Sequence, residues 1–318
     1  MRKNTLNPIP CTPHLSVNIA GIKLDNPVMC ASGTFNFAEE YSEIIDIKKL
    51  GAIVTKTITL EPRQGNPPSR VCETASGMLN CIGLQNPGVE EFIKTKLPFL
   101  RKCKVPVIVS IAGETTEEYC RLVQILSKEK GISAFEVNIS CPNVRSKIRN
   151  MMFSQDSKAT FEVVHQIKKF SKIPVIVKLS PNVTSISVIA IAAEMAGADA
   201  LALINTPIGM AVDAKKKTPI LSMITGGLSG PCIKPIALRM VWETFNCVKI
   251  PIIGIGGIMD WKDAIEFILC GAKAVEVGTA NFVDPNVMPN IVEGIKNYMH
   301  ENKIKDLKEI VGKLKINK

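Results

Sequence analysis

Eight short apolar runs rich in β-branched residues recur along this chain, most of them followed by a stretch with helical periodicity, and this alternation constrains the fold more than any other feature. The runs fall at 28–31, 52–59, 107–112, 134–140, 175–179, 200–205, 252–256 and 274–278. Helical patterns lie between them at 38–50, 116–130, 160–172, 185–196, 231–246 and 261–269. Strands that are apolar on both faces need helices on both faces, which is the condition of a parallel sheet. Eight such units in about 250 residues fit an α/β fold of the (β/α)₈ TIM-barrel type better than an open doubly wound sheet.

The chain has 318 residues and 46% hydrophobic content, enough to bury a large core. No Pro/Gly-rich linker or step in composition divides it, so the expectation is one domain over 1–318. A polar tail over 1–14, a small hairpin around Ala20-Gly21 and a lysine-rich C-terminal helix over 303–318 complete it. The net charge of +10 is spread along the chain and aromatics are only 5%, which favours a solvated lysine surface over a nucleic-acid groove. None of the ten cysteines forms a CxxC pair, which argues against a zinc site or an iron-sulfur cluster in this chain. There is no apolar leader and no run of eighteen apolar residues, so a cytoplasmic protein with free thiols and no membrane span is expected.

Three connections exceed what a barrel needs: 61–88, 142–159 and 207–230. Each follows a strand, on the face where barrels build active sites. The strand ends collect Ser32-Gly33, Lys56-Thr57, Ser110, Asn138 with Cys141, Lys178, and Asn205-Thr206. Lysines at strand ends cost desolvation energy and call for an anionic or electron-rich partner. The last two strands run into Gly254-Ile255-Gly256-Gly257 and Gly278-Thr279, and Gly226-Gly227 and Gly230 lie in a further loop. Paired glycine turns after strands seven and eight suit a phosphate-bearing ligand. Cys141, taken alone, reads most simply as a buried thiol. Pro142 and the flanking amides of Asn138 and Asn143 instead place it at a strand end among hydrogen-bonding groups. His14, His165 and His300 lie away from the strand ends, so a histidine-paired thiolate is disfavoured and a thiol acting as proton acceptor beside a redox cofactor fits better.

These residues sit in NPVMCASGTF (26–35), GAIVTKTIT (51–59), CETASGMLNCIGLQNPG (72–88), NISCPNV (138–144), VIVKLSPNV (175–183), LINTPIGMAVD (203–213), GGLSGPCIKPIALRMV (226–241), PIIGIGGI (251–258) and VGTA (277–280). Together they resemble the dihydroorotate dehydrogenase family, in particular the catalytic subunits of its NAD-linked type 1B form. The resemblance implies FMN at the barrel mouth and oxidation of dihydroorotate to orotate in pyrimidine synthesis. It implies that Cys141 is the base and that Lys56, Asn80, Asn138, Asn143, Asn205 and Thr206 hold substrate, with Cys81, Ile82, Gly83 and Leu84 contributing main-chain groups. It places Ser32, Lys56, Thr57, Ser110, Asn138, Lys178, Ile204, Gly230, Gly256, Gly257, Gly278 and Thr279 around FMN, and makes 142–159 a lid. It further implies a partner subunit carrying FAD and a [2Fe–2S] cluster, in a heterotetramer of two catalytic and two electron-transfer chains. The sequence departs from the family at Ser110, where many relatives have asparagine, and in NVRSKIRNMMFSQD (143–156), where the family is usually glycine-rich. Two alternatives are a dihydropyrimidine dehydrogenase acting on uracil or thymine, whose substrate lacks the carboxylate that a cavity lysine favours, and a non-catalytic binder of a phosphate-bearing ligand.

Overall fold

A computed structural model of the protein describes residues 13–139 and 153–316. Eight parallel strands close into a barrel in chain order: β1 (Val28–Cys30), β2 (Ala52–Val54), β3 (Val107–Ile111), β4 (Ala134–Asn138), β5 (Val175–Leu179), β6 (Ala200–Leu203), β7 (Ile252–Ile255) and β8 (Ala274–Val277). Every barrel strand is buried along its length, as strands sealed on both faces must be.

The outer layer contains α1 (Thr116–Leu126), α2 (Ser157–Phe170), α3 (Ile186–Met195), α4 (Lys234–Phe245), α5 (Trp261–Leu269) and α6 (Val287–Glu301). In α1 the buried set is Tyr119, Leu122, Val123 and Leu126, the stripe that a 3.6-residue period turns toward the sheet. Side-chain caps set several starts. Asp156 accepts from the N–H groups of Lys158 and Ala159, and Asp260 and Asp263 form a reciprocal capping box.

Alternation along the strands separates two packing zones. Met29, Ala52, Val54, Ile108, Ala134, Ile176, Ala200, Ala202, Ile253 and Ala274 point into the barrel and pack with Ile19 and Leu24. The last two belong to a hairpin, Val17–Ile19 with Ile22–Leu24, which closes the N-terminal end of the barrel. The next inward positions toward the C-terminal end carry Ser110, Glu136, Lys178 and Glu276, all buried. The barrel is therefore apolar below and polar above, and the polar layer underlies the site.

The structure departs from the sequence reading in two places. The segment 38–50 forms two 3₁₀ turns, Tyr41–Glu43 and Ile47–Lys49, in place of a helix, because Asp46 between them is extended and caps the second turn through Lys48 N. Among its described residues the lysine-rich tail has no long helix and carries one 3₁₀ turn, Leu307–Glu309. Left-handed Lys303 (φ 57°) ends the preceding helix, and Gly312 (φ 68°) interrupts the rest while Leu307 is buried. The connections 61–88 and 207–230, which the sequence marks only as long, carry strands of their own. They combine into one four-stranded antiparallel sheet in the order Ile208–Met210, Thr225–Ser229, Gly77–Asn80, Val71–Thr74. Opposite Asn80 stands Gly227, and a Cβ there would lie 2.1 Å from Thr206 Oγ1, so only glycine lets this sheet press onto the loop after β6.

Candidate active site

A cavity of about 760 Å³ opens at the C-terminal end of the barrel, within the range of cofactor and substrate pockets. Ser32, Lys56, Thr57, Asn138 and Lys178 line it from β1, β2, β4 and β5 or the residues just after them. Ile204, Asn205 and Thr206 enter after β6, and Asn80, Cys81, Ile82, Gly83 and Leu84 come from the antiparallel sheet and the turn beyond it. Gly230, Gly256, Gly257, Gly278 and Thr279 complete the expected set. Ser110 does not face the cavity. It is fully buried behind Thr57 and hydrogen-bonds Thr57 Oγ1 at 3.0 Å, so it acts on the site through that side chain. Cys141 and Asn143, and most of the 142–159 connection, lie outside the described residues.

A chain of short polar side chains runs along one wall. Thr57 Oγ1 accepts from Asn138 Nδ2 at 3.5 Å, and Asn138 Oδ1 accepts from Asn205 Nδ2 at 3.4 Å. Tyr119 donates to the Asn138 main-chain carbonyl at 2.8 Å, which anchors the end of β4, and Asn205 Oδ1 accepts from Thr206 N at 2.8 Å, which fixes that amide from behind. Amides held this way offer donor and acceptor groups side by side, matching a planar ring with alternating N–H and C=O. Elsewhere on the lining Thr279 donates to Ser229 Oγ at 2.7 Å.

The two lysines differ. Lys178 is 4% exposed, and its Nζ lies 3.2 Å from Glu276 Oε2, 3.4 Å from both carboxyl oxygens of Glu136 and 3.1 Å from Ser32 Oγ. Burial pushes its pKa down, but the two glutamates more than offset this and hold it above the usual lysine value. Lys56 is half-buried and its pKa is lowered, first by desolvation and then by the Arg70 guanidinium. Arg70 itself is held by Gln85 Oε1 at 2.6 Å and by the Gln64 carbonyl at 3.2 Å. A partly desolvated ammonium beside a second cation gains most from an incoming anion.

A family model described as dihydroorotate dehydrogenase matches residues 14–299. The chain belongs to the dihydroorotate dehydrogenase family. Its relatives include the protein named dihydroorotate dehydrogenase B (NAD(+)), catalytic subunit, of Geotalea uraniireducens, 54% identical over 302 residues that cover 95% of this chain and 98% of the relative. The protein of the same name from Thermoanaerobacter pseudethanolicus is 53% identical over 303 residues, covering 95% of this chain and 99% of that one. Among solved structures, DHODH in complex with ferulenol from Eimeria tenella superposes with a TM-score of 0.78 at 23% identity, covering 96% of this chain and 90% of that one, a likeness of fold.

Within this dihydroorotate dehydrogenase barrel, the sequence reading missed two residues at the site, Glu136 and Glu276. A signal for both was present. Each is a carboxylate inside an otherwise apolar inward-facing strand, AFEVN and AVEV, where an acidic side chain persists only with a partner. The lysine reading asked for an anionic partner, and these two carboxylates provide it inside the barrel. Among the described residues, no group of three or more His, Cys, Asp and Glu side chains is arranged to hold a metal ion, and no helix is long and apolar enough to cross a membrane.

Proposed function

We propose that this chain is the catalytic subunit of an NAD-linked dihydroorotate dehydrogenase, oxidising (S)-dihydroorotate to orotate in de novo pyrimidine synthesis with one FMN per chain. The observation that carries the reading is the convergence of Lys56, the Asn138–Asn205 amide pair and the glycine turns after β7 and β8 on one cavity, in a chain of this family.

The lining fits FMN. Gly257 has φ +74°, and a Cβ on it would lie 2.8 Å from Lys234 Cβ and 2.9 Å from the Gly230 carbonyl, so the turn after β7 is closed to side chains. Gly230, Gly256, Gly257, Gly278 and Thr279 would hold the phosphate through main-chain groups and a hydroxyl. Lys178, Ser32 and Thr57 would face the ring system. FMN, when bound, supplies the acceptor for the hydride that leaves carbon 6 of the substrate.

The chain's own residues supply binding and proton transfer. Lys56 meets the substrate carboxylate, and the desolvation that lowers its pKa strengthens that contact. Asn80, Asn138, Asn143 and Asn205 read the ring's N–H and C=O groups, with Thr206 and the Cys81–Leu84 backbone alongside. Cys141, three residues beyond Asn138, takes the proton from carbon 5. The relatives' name, catalytic subunit, supports a division of labour. In our reading a second subunit carries FAD and a [2Fe–2S] cluster, the assembly is a cytoplasmic heterotetramer of two chains of each kind, and this chain is a single barrel domain.

Cys141→Ala tests the chemistry. The variant keeps its FMN spectrum and loses most reduction by dihydroorotate; near-normal reduction overturns the assigned base. Coexpression with an iron-sulfur flavoprotein, followed by NAD reduction, tests the partner.

A further inference from the structure

We propose that Glu136 and Glu276 share one proton and act as positioning residues that fix the place of the Lys178 ammonium and the net charge of the set of three. The proposal rests on reading the cavity as the flavin site, and it concerns two carboxylates outside the cavity lining.

The geometry leaves few arrangements. Glu136 is 0% and Glu276 1% exposed, and both reach the same ammonium, at 3.4 and 3.2 Å. They arrive from β4 and β8, strands on different sides of the barrel, so their meeting is a consequence of closure. The one ammonium they share brings the two carboxyl groups into each other's neighbourhood. Two ionised carboxylates only accept and repel each other, whereas one proton on the pair turns one carboxyl into a donor. Two bare carboxylates with one cation would leave a net negative charge in the buried interior, which is costly. One shared proton gives a neutral set of three in which Lys178 stays charged.

Burial first, and then Glu136, hold the Glu276 carboxyl well above the usual carboxylate range, the direction that favours its protonated form. Among the described residues, a further titratable neighbour is Cys30 of β1, whose thiol burial pushes up to about 12, so it stays neutral. Ser32 and Ser110 are the other polar side chains of this layer, and neither titrates.

The charge of the set sets the field under a flavin ring. With one shared proton it is neutral. With the proton lost it is negative and disfavours the reduced ring; with both carboxyls made neutral it is positive and favours it. Glu276→Gln keeps an oxygen for Lys178 and gives its amide N–H to Glu136, so it mimics the protonated state permanently.

The test uses the purified holoprotein. In infrared difference spectra, wild type minus Glu276→Gln, we expect the carbonyl stretch of a buried protonated carboxylic acid at neutral pH. Glu136→Gln should lose the same band, because neither residue holds the proton alone, and it serves if the other variant does not fold. In a spectroelectrochemical titration, Glu276→Gln should hold the wild-type flavin midpoint at neutral pH, and the double variant Glu136→Gln/Glu276→Gln should shift it to more positive potential. No carboxylic-acid band in wild type, or a single variant that shifts the potential as far as the double, overturns the proposal. The band reads the pair whether or not flavin is bound, so protein that takes up no FMN overturns the functional reading and leaves the band to decide the pair.

Discussion

Lys178 on β5 and Glu276 on β8 lie 98 residues apart in sequence and on strands that do not pair, yet their charged atoms meet at 3.2 Å inside the closed barrel. With Glu136 of β4 they tie three strands together through one ammonium. The contact lies between the apolar lower barrel and the cavity, so it bears on stability and on the site.

Removing the ammonium should expose how much the arrangement depends on it. Lys178→Met leaves two buried carboxyls without a cation, and loss of one partner from a buried pair costs ~3–5 kcal/mol. Denaturant unfolding at neutral pH should show a loss of that order. A change below about 1 kcal/mol, the scale of an exposed pair, would show the contact to be energetically minor.

The Glu276 carboxyl gives a pH signature with a definite sign. Its pKa is raised in the folded state, so the fold binds this proton more tightly than the unfolded chain does. That contribution is fully present below the ordinary carboxylate pKa and is lost as pH rises through the folded value. Wild type should therefore lose stability relative to Glu276→Gln as pH is raised from the carboxylate range upward. Parallel stability profiles for the two proteins would contradict the raised pKa.

Lys56 should act on substrate more than on fold. A hydrogen bond to a charged group contributes ~1.5–3 kcal/mol, so Lys56→Ala should lower kcat/KM for dihydroorotate by about 10- to 100-fold. Orotate affinity, read from the flavin spectrum, should fall with it. Unchanged orotate binding would remove Lys56 from carboxylate recognition.

Gly257→Ala combines a left-handed backbone, at φ +74°, with a Cβ 2.8 Å from Lys234. Such strain costs ~1–3 kcal/mol, and its release would open the turn assigned to the phosphate. FMN affinity, followed by quenching of flavin fluorescence, should fall by about tenfold or more. Wild-type affinity would place the phosphate elsewhere.

How far the sequence reveals all this depends on the range of the interaction. The barrel was readable because eight β-branched runs carry their own period, and Ser32, Lys56, Thr57 and Asn205 follow because they sit at or just beyond strand ends. The antiparallel sheet over the mouth was not, since Asn80 and Gly227 pair across 147 residues and nothing local announces it. The 38–50 segment has helical apolar spacing, but Asp46 prefers to cap and breaks it. The tail shows the same limit, with the spacing of a helix and left-handed residues at Lys303 and Gly312 that only the packed chain discloses. The glutamates around Lys178 were visible as letters, and their partnership was not, because it exists only once the barrel closes.

The most direct test of the account is anaerobic mixing of the purified flavin-bound protein with dihydroorotate while flavin absorbance is followed. The account predicts rapid bleaching by dihydroorotate and little or none by dihydrouracil, which lacks the carboxylate that Lys56 is assigned to hold. Bleaching by dihydrouracil with dihydroorotate inert would contradict it.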